Sequence, residues 1–73
     1  MQKKEQSLRE RRREQTWTAI HEAALKRVRD HGMRGTTVEE IAQEAGVSPR
    51  TFFNYFPSKE DAVLGLREPV VSE

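Results

Sequence analysis

Between Thr16 and His31 the apolar residues fall at Trp17, Ile20, Ala23, Ala24 and Val28. Steps of three and four lay one apolar stripe along an α-helix, and Glu22, Lys26, Arg29 and Asp30 take the other face. Gly32 follows at once, where a left-handed residue can end the helix, so the pattern predicts a first helix over 16–31. Thr37-Val38-Glu39-Glu40 then fits a capping box, in which the threonine hydroxyl accepts the Glu40 amide and Glu40 reaches back to the Thr37 amide. The helix it opens spans 38–45, with Val38, Ile41, Ala42 and Ala45 inward, Gly46 turning the chain and Val47 plugging the turn. Ser48-Pro49 starts a third helix over 49–55, because serine caps well and proline at the first helical position loses no useful amide. Phe52 and Phe56 share its inner face, and Pro57 stops it. Ser58-Lys59-Glu60-Asp61 opens a fourth over 59–67, with Ala62, Val63, Leu64 and Leu66 as its apolar side. Pro69 breaks the pattern, and no run alternates with period two, so no strand is predicted.

The expected fold is therefore all-α: a three-helix, homeodomain-like bundle with a helix-turn-helix at about 36–55, plus the start of a fourth helix. Its 73 residues allow one small domain with a thin core. Cysteine is absent, which excludes a disulfide framework and a thiolate metal site. No apolar run is long enough for a membrane span or signal peptide, pointing to a soluble, cytoplasmic protein.

The net charge of +1 carries no case for a nucleic-acid partner, but its distribution does. Residues 1–13 hold Lys3, Lys4, Arg9, Arg11, Arg12 and Arg13 against Glu5 and Glu10, six minus two or +4, with hardly any apolar residue. This segment reads as a flexible basic arm before a domain at 14–67, leaving 68–73 as a linker or truncated helix. A solvated leader without a role remains the other reading of the arm.

In a helix-turn-helix the second helix enters the major groove. With Phe52 and Phe56 turned inward, Pro49, Arg50, Thr51, Phe53 and Asn54 are the base-reading candidates. Arginine can hold guanine O6 and N7, asparagine can hold adenine N6 and N7, and Thr51 or Phe53 can meet a thymine methyl. Thr37, Ser48, Tyr55 and Lys59 are placed for phosphates. The residues alone leave both roles open: Thr37 also serves as a cap, Tyr55 as a packing ring and Lys59 as a surface charge. Arg9, Arg11, Arg12 and Arg13 are candidates to follow the backbone or enter an adjacent minor groove.

The alternatives are an enzyme or a small helical protein-interaction module. His21 and His31 stand ten residues apart without a third ligand type beside them, so no metal site is predicted. Ser48 has no base to activate it, the carboxylates are scattered, and no catalytic or cofactor-binding residue emerges. A partner protein would be met by an exposed helix, yet the candidate helix offers Arg50, Thr51 and Asn54 with no acid. Glu39, Glu40 and Glu44 on the second helix would repel phosphates if turned toward DNA, and they are expected to face away.

The run Thr36-Thr37-Val38-Glu39-Glu40-Ile41-Ala42-Gln43-Glu44-Ala45-Gly46-Val47-Ser48, continuing through Thr51-Phe52-Phe53-Asn54-Tyr55-Phe56 to Ser58-Lys59-Glu60, closely resembles the signature of TetR-type regulators. Ile20, Ala23-Ala24 and Gly32 agree as well, and the likeness covers about residues 13–67. The resemblance implies that Pro49, Arg50 and Thr51 reach bases, that Phe53, Asn54 and Tyr55 contact bases or phosphates, and that Lys59 meets a phosphate. Phe53 replaces the usual tyrosine, Arg27 a usual apolar residue and Val28 a usual phenylalanine. The resemblance also implies a repressor acting on double-stranded DNA at a palindromic operator. It further implies a second helical domain, not contained in this chain, that forms the homodimer and takes a small-molecule effector. On that reading the chain is a piece of a longer protein.

Overall fold

A computed structural model describes residues 8–65, which form α1 (Leu8–His31), α2 (Val38–Ala45), α3 (Pro49–Tyr55) and α4 (Lys59–Leu64). Helix α1 packs against α2 and α4, and α2 packs against α3. The core between them contains Ile20, Ala23 and Ala24 from α1, Ile41 and Ala42 from α2, Phe52 and Phe56 from α3 and its end, and Ala62 from α4. Trp17, Val38, Ala45, Val47, Tyr55 and Val63 close its edges. This is the all-α bundle with a helix-turn-helix that the periodicity predicts.

Local chemistry sets most boundaries. The Thr37 hydroxyl accepts the Glu40 amide at 3.1 Å, and the Glu40 carboxylate accepts the Thr37 amide at 3.1 Å, completing the capping box. At the other end of α2, Gly46 sits at φ 81°. Its amide donates to the Gln43 carbonyl and the Val47 amide to the Ala42 carbonyl. That pair of bonds is a Schellman turn, and it reverses the chain within two residues. Ser48 caps α3 by accepting the Thr51 amide, and Ser58 caps α4 by accepting the Asp61 amide.

Helix α1 already runs from Leu8, the first described residue, and not only from near residue 16. Residues 8–15 are all exposed, so no apolar stripe marks them. Leucine, arginine, glutamate and glutamine instead favour the helix by propensity alone, and Glu10 in the first turn suits the helix dipole. Arg9, Arg11, Arg12 and Arg13 are thus helical residues, while Lys3, Lys4 and the expected linker at 68–73 lie outside the described residues. Helix α4 stops at Leu64 because Gly65, at φ 70°, donates its amide to the Asp61 carbonyl in a left-handed cap. Leu64 is exposed, contrary to its assignment to the apolar side.

Three long-range bonds fix α4. The Lys59 ammonium donates to the carbonyls of Met33 and Thr36, both at 2.8 Å. His21 Nδ1 donates to the Ala62 carbonyl at 2.7 Å, and its ring lies 5.1 Å from that of Trp17. His21 is therefore a half-buried bridge from α1 to α4.

Candidate nucleic-acid interface

The orientation of α3 follows from its two inner rings. Phe52 and Phe56 are fully buried, and at about 100° per residue Arg50 and Asn54 then project from the opposite side. Both are exposed, as are Ser48 and Pro49. Phe53 leaves one flank of the helix, 53% exposed and edge-on to Phe52 at 5.2 Å. Thr51 and Tyr55 leave the other flank and are half-buried. The Thr51 hydroxyl accepts from that of Ser48 at 3.1 Å, so these two side chains hold each other at the start of the helix.

Each flank borders a concave surface. On the Phe53 side a groove is lined by Arg34, Thr37, Glu39, Phe53, Pro57 and Lys59 among others. It gathers three residues singled out from the sequence, Thr37, Phe53 and Lys59, and adds Arg34, which no local pattern marks. On the Tyr55 side a second groove is lined by Leu8, Arg9, Arg12, Arg13, Thr16 and Tyr55. Three of the four arm arginines thus lie beside α3, and Arg11 does not.

Charge divides the same way. Lys26 pairs with Glu44 at 3.2 Å, and Arg27 pairs with Glu40 at 3.7 Å and with Glu44 at 3.6 Å. Arg27 thus exchanges apolar packing for carboxylates, leaving its buried Nε without a hydrogen-bond partner. Glu40 and Glu44 are turned to α1 and away from α3, as expected; Glu39 is exposed and lines the groove beside Thr37. Among the described residues, salt bridges engage Lys26, Arg27 and Arg29, and none engages Arg9, Arg11, Arg12, Arg13, Arg34 or Arg50. Among the described residues, the cations around α3 are those without a carboxylate partner in a salt bridge.

Lys59 differs from these. Two of its three ammonium hydrogens are committed to backbone carbonyls, which leaves one for an outside acceptor. Lys59→Met is expected to lower stability by about 1 to 3 kcal/mol with no DNA present, because two carbonyls lose a charged donor. A urea melt checks this; an unchanged midpoint means that the ammonium does not hold the α1–α2 loop.

A seven-residue helix set across a Schellman turn from a capped α2, with its polar side chains outward and cations on its flank, defines a helix-turn-helix DNA-binding domain. The family described as "Bacterial regulatory proteins, tetR family" matches residues 20–65, and the chain belongs to that family. It is 42% identical over 57 residues to the HTH-type transcriptional regulator TcmR of Streptomyces glaucescens, covering 78% of this chain and 25% of that protein. It is 38% identical over 55 residues to the HTH-type transcriptional regulator EthR of Mycobacterium tuberculosis (strain ATCC 25618 / H37Rv), covering 75% of this chain and 26% of the other. With the HTH-type transcriptional regulator RutR of Escherichia coli (strain K12) the identity is 42% over 53 residues, covering 73% and 25%. The chain spans about a quarter of the length of these relatives. Its class is that of DNA-binding regulators of transcription and not of enzymes. Among the described residues no group of His, Asp or Glu is placed to hold a metal ion, and no helix is long and apolar enough to cross a membrane.

Proposed function

We propose that α3 is the recognition helix of a repressor and lies in the major groove of its operator. Arg50 and Asn54 read base edges there, with Pro49, Thr51 and Phe53 supplying close apolar contacts, including to thymine methyls. Thr37, Ser48, Tyr55 and Lys59 fix the register on the phosphates. The observation that carries this reading is the common outward face of Arg50 and Asn54, set by the burial of Phe52 and Phe56 behind them. The intact protein, as the TetR-type family resemblance implies, acts as a homodimer on a palindromic operator. A domain outside this chain forms that dimer and takes a small-molecule effector, and the site of action is the cytoplasmic nucleoid.

Selection from a pool of random duplexes, followed by titration of the enriched duplex and of a scrambled one, tests the base-reading role. Arg50→Ala is expected to weaken binding to the enriched duplex by about 1 to 3 kcal/mol and to relax the preference at one base pair, with a much smaller loss on the scrambled duplex. Equal losses on both remove Arg50 from base reading.

A further inference from the structure

We infer that the amino-terminal turns of α1 form a rigid phosphate clamp, in which Arg9, Arg12 and Arg13, with the Tyr55 hydroxyl, grip the sugar-phosphate backbone of the duplex that α3 reads. This inference rests on the proposed placement of α3 in the major groove.

Three observations carry it. Residues 8–13 are helical, and positions 9, 12 and 13 fall on one helix face with Thr16, whereas position 11 falls on the opposite one. The groove lined by Arg9, Arg12, Arg13 and Thr16 is bordered by Tyr55, the last residue of α3, so the clamp meets the recognition helix at that ring. None of the three guanidiniums is engaged by a carboxylate in a salt bridge among the described residues, in contrast with Lys26 and Arg27 farther along the same helix.

The occupant follows from shape and charge. Arg9 and Arg13 are separated by about 6 Å along the helix axis, a span over which one strand of a duplex presents about two backbone charges, and the long guanidinium side chains fan out to reach a third. Guanidinium is the side chain best matched to phosphate oxygens, through paired parallel hydrogen bonds. Entry into the minor groove, which a flexible arm could make, does not suit a helix: with side chains it is about 10 to 12 Å across, and that groove is about 6 Å wide. The helical backbone stays outside, and its arginines run along the strand. Arg11, on the far side, takes no part.

Binding of the 73-residue chain to the enriched duplex and to its scrambled counterpart, measured by anisotropy from about 50 to 200 mM salt, tests the clamp. With three phosphates neutralised, Arg9→Ala/Arg12→Ala/Arg13→Ala should flatten the slope of log affinity against log salt by about 2 to 3 units on both duplexes. The corresponding triple lysine variant should keep most of the slope, and Arg11→Ala should leave it unchanged. Alanine is the strongest helix former, and a triple glutamine variant of matched helicity by circular dichroism separates lost charge from altered helix. A triple variant with the parent slope overturns the clamp, as does an Arg11→Ala effect equal to that of Arg12→Ala. Losses confined to duplexes with A·T-rich flanks overturn it in favour of minor-groove entry. A parent chain that shows no preference for the enriched duplex overturns the base-reading proposal instead, and the slope on scrambled DNA still judges the clamp.

Discussion

Phe52→Ala is expected to remove a large share of the domain's stability. The Phe52 ring is fully buried, 6.0 Å from that of Phe56, which in turn lies 5.6 Å from Trp17. These rings join the buried side of α3 to α1, and the rest of the core is mostly small, with four alanines among the eight buried apolar residues described. Little nearby can collapse into the space that the ring leaves. Removing a buried phenylalanine costs about 3 to 5 kcal/mol, against a total stability of roughly 4 to 11 kcal/mol for a chain of this size. Phe53→Ala is the paired control: its ring is more than half exposed, so a loss of about 1 kcal/mol or less is expected. Urea melts of both variants followed at 222 nm decide the matter, and a Phe52 variant that melts like the parent shows that the ring is not a keystone.

Gly35→Ala is the second large effect. A Cβ at this position would overlap the carbonyl oxygen of His31, a backbone atom at the end of α1. Space, and not an unusual φ, is what demands glycine there. Relief requires moving either the last turn of α1 or the loop that follows, at an expected cost of about 3 kcal/mol. That loop also carries Thr36, fully buried with its hydroxyl on the Gly32 carbonyl at 2.9 Å, and the two carbonyls that hold Lys59. The variant should therefore lose stability and, at temperatures where it is still folded, bind scrambled duplex more weakly through a displaced Lys59. Parent-like melting would mean that the loop yields without strain.

These effects separate what was legible in the chain from what was not. The boundaries at Thr37, Gly46, Ser48 and Pro57 are written in residues within four positions of the structure they determine, so α2 and α3 are readable from sequence. The outward face of Arg50 and Asn54 is readable too, because it needs only the helical period and the choice of Phe52 and Phe56 as inner residues. The helical turns at residues 8–15 escaped because propensity, not amphipathic packing, extends α1 through them. The tether of Lys59 to Met33 and Thr36 joins residues 26 and 23 positions apart, and that of His21 to Ala62 spans 41. Such pairings depend on how the helices assemble, and no local pattern announces them. Arg34 and the arginine-lined groove beside Tyr55 were hidden for the same reason: each is a meeting of separate elements.

Helix α3 has only seven residues, well below the length at which a peptide holds helical form in water. Its order is on loan from its neighbours: the Ser48 cap on one side, and two phenylalanines sunk between α1 and α2 on the other. A segment so held cannot melt and reform by itself, and it shares the fate of the whole domain. The conformational entropy of arranging Arg50 and Asn54 on one backbone is thus surrendered when the protein folds, before any ligand arrives, and at contact only the side-chain rotamers remain to be fixed.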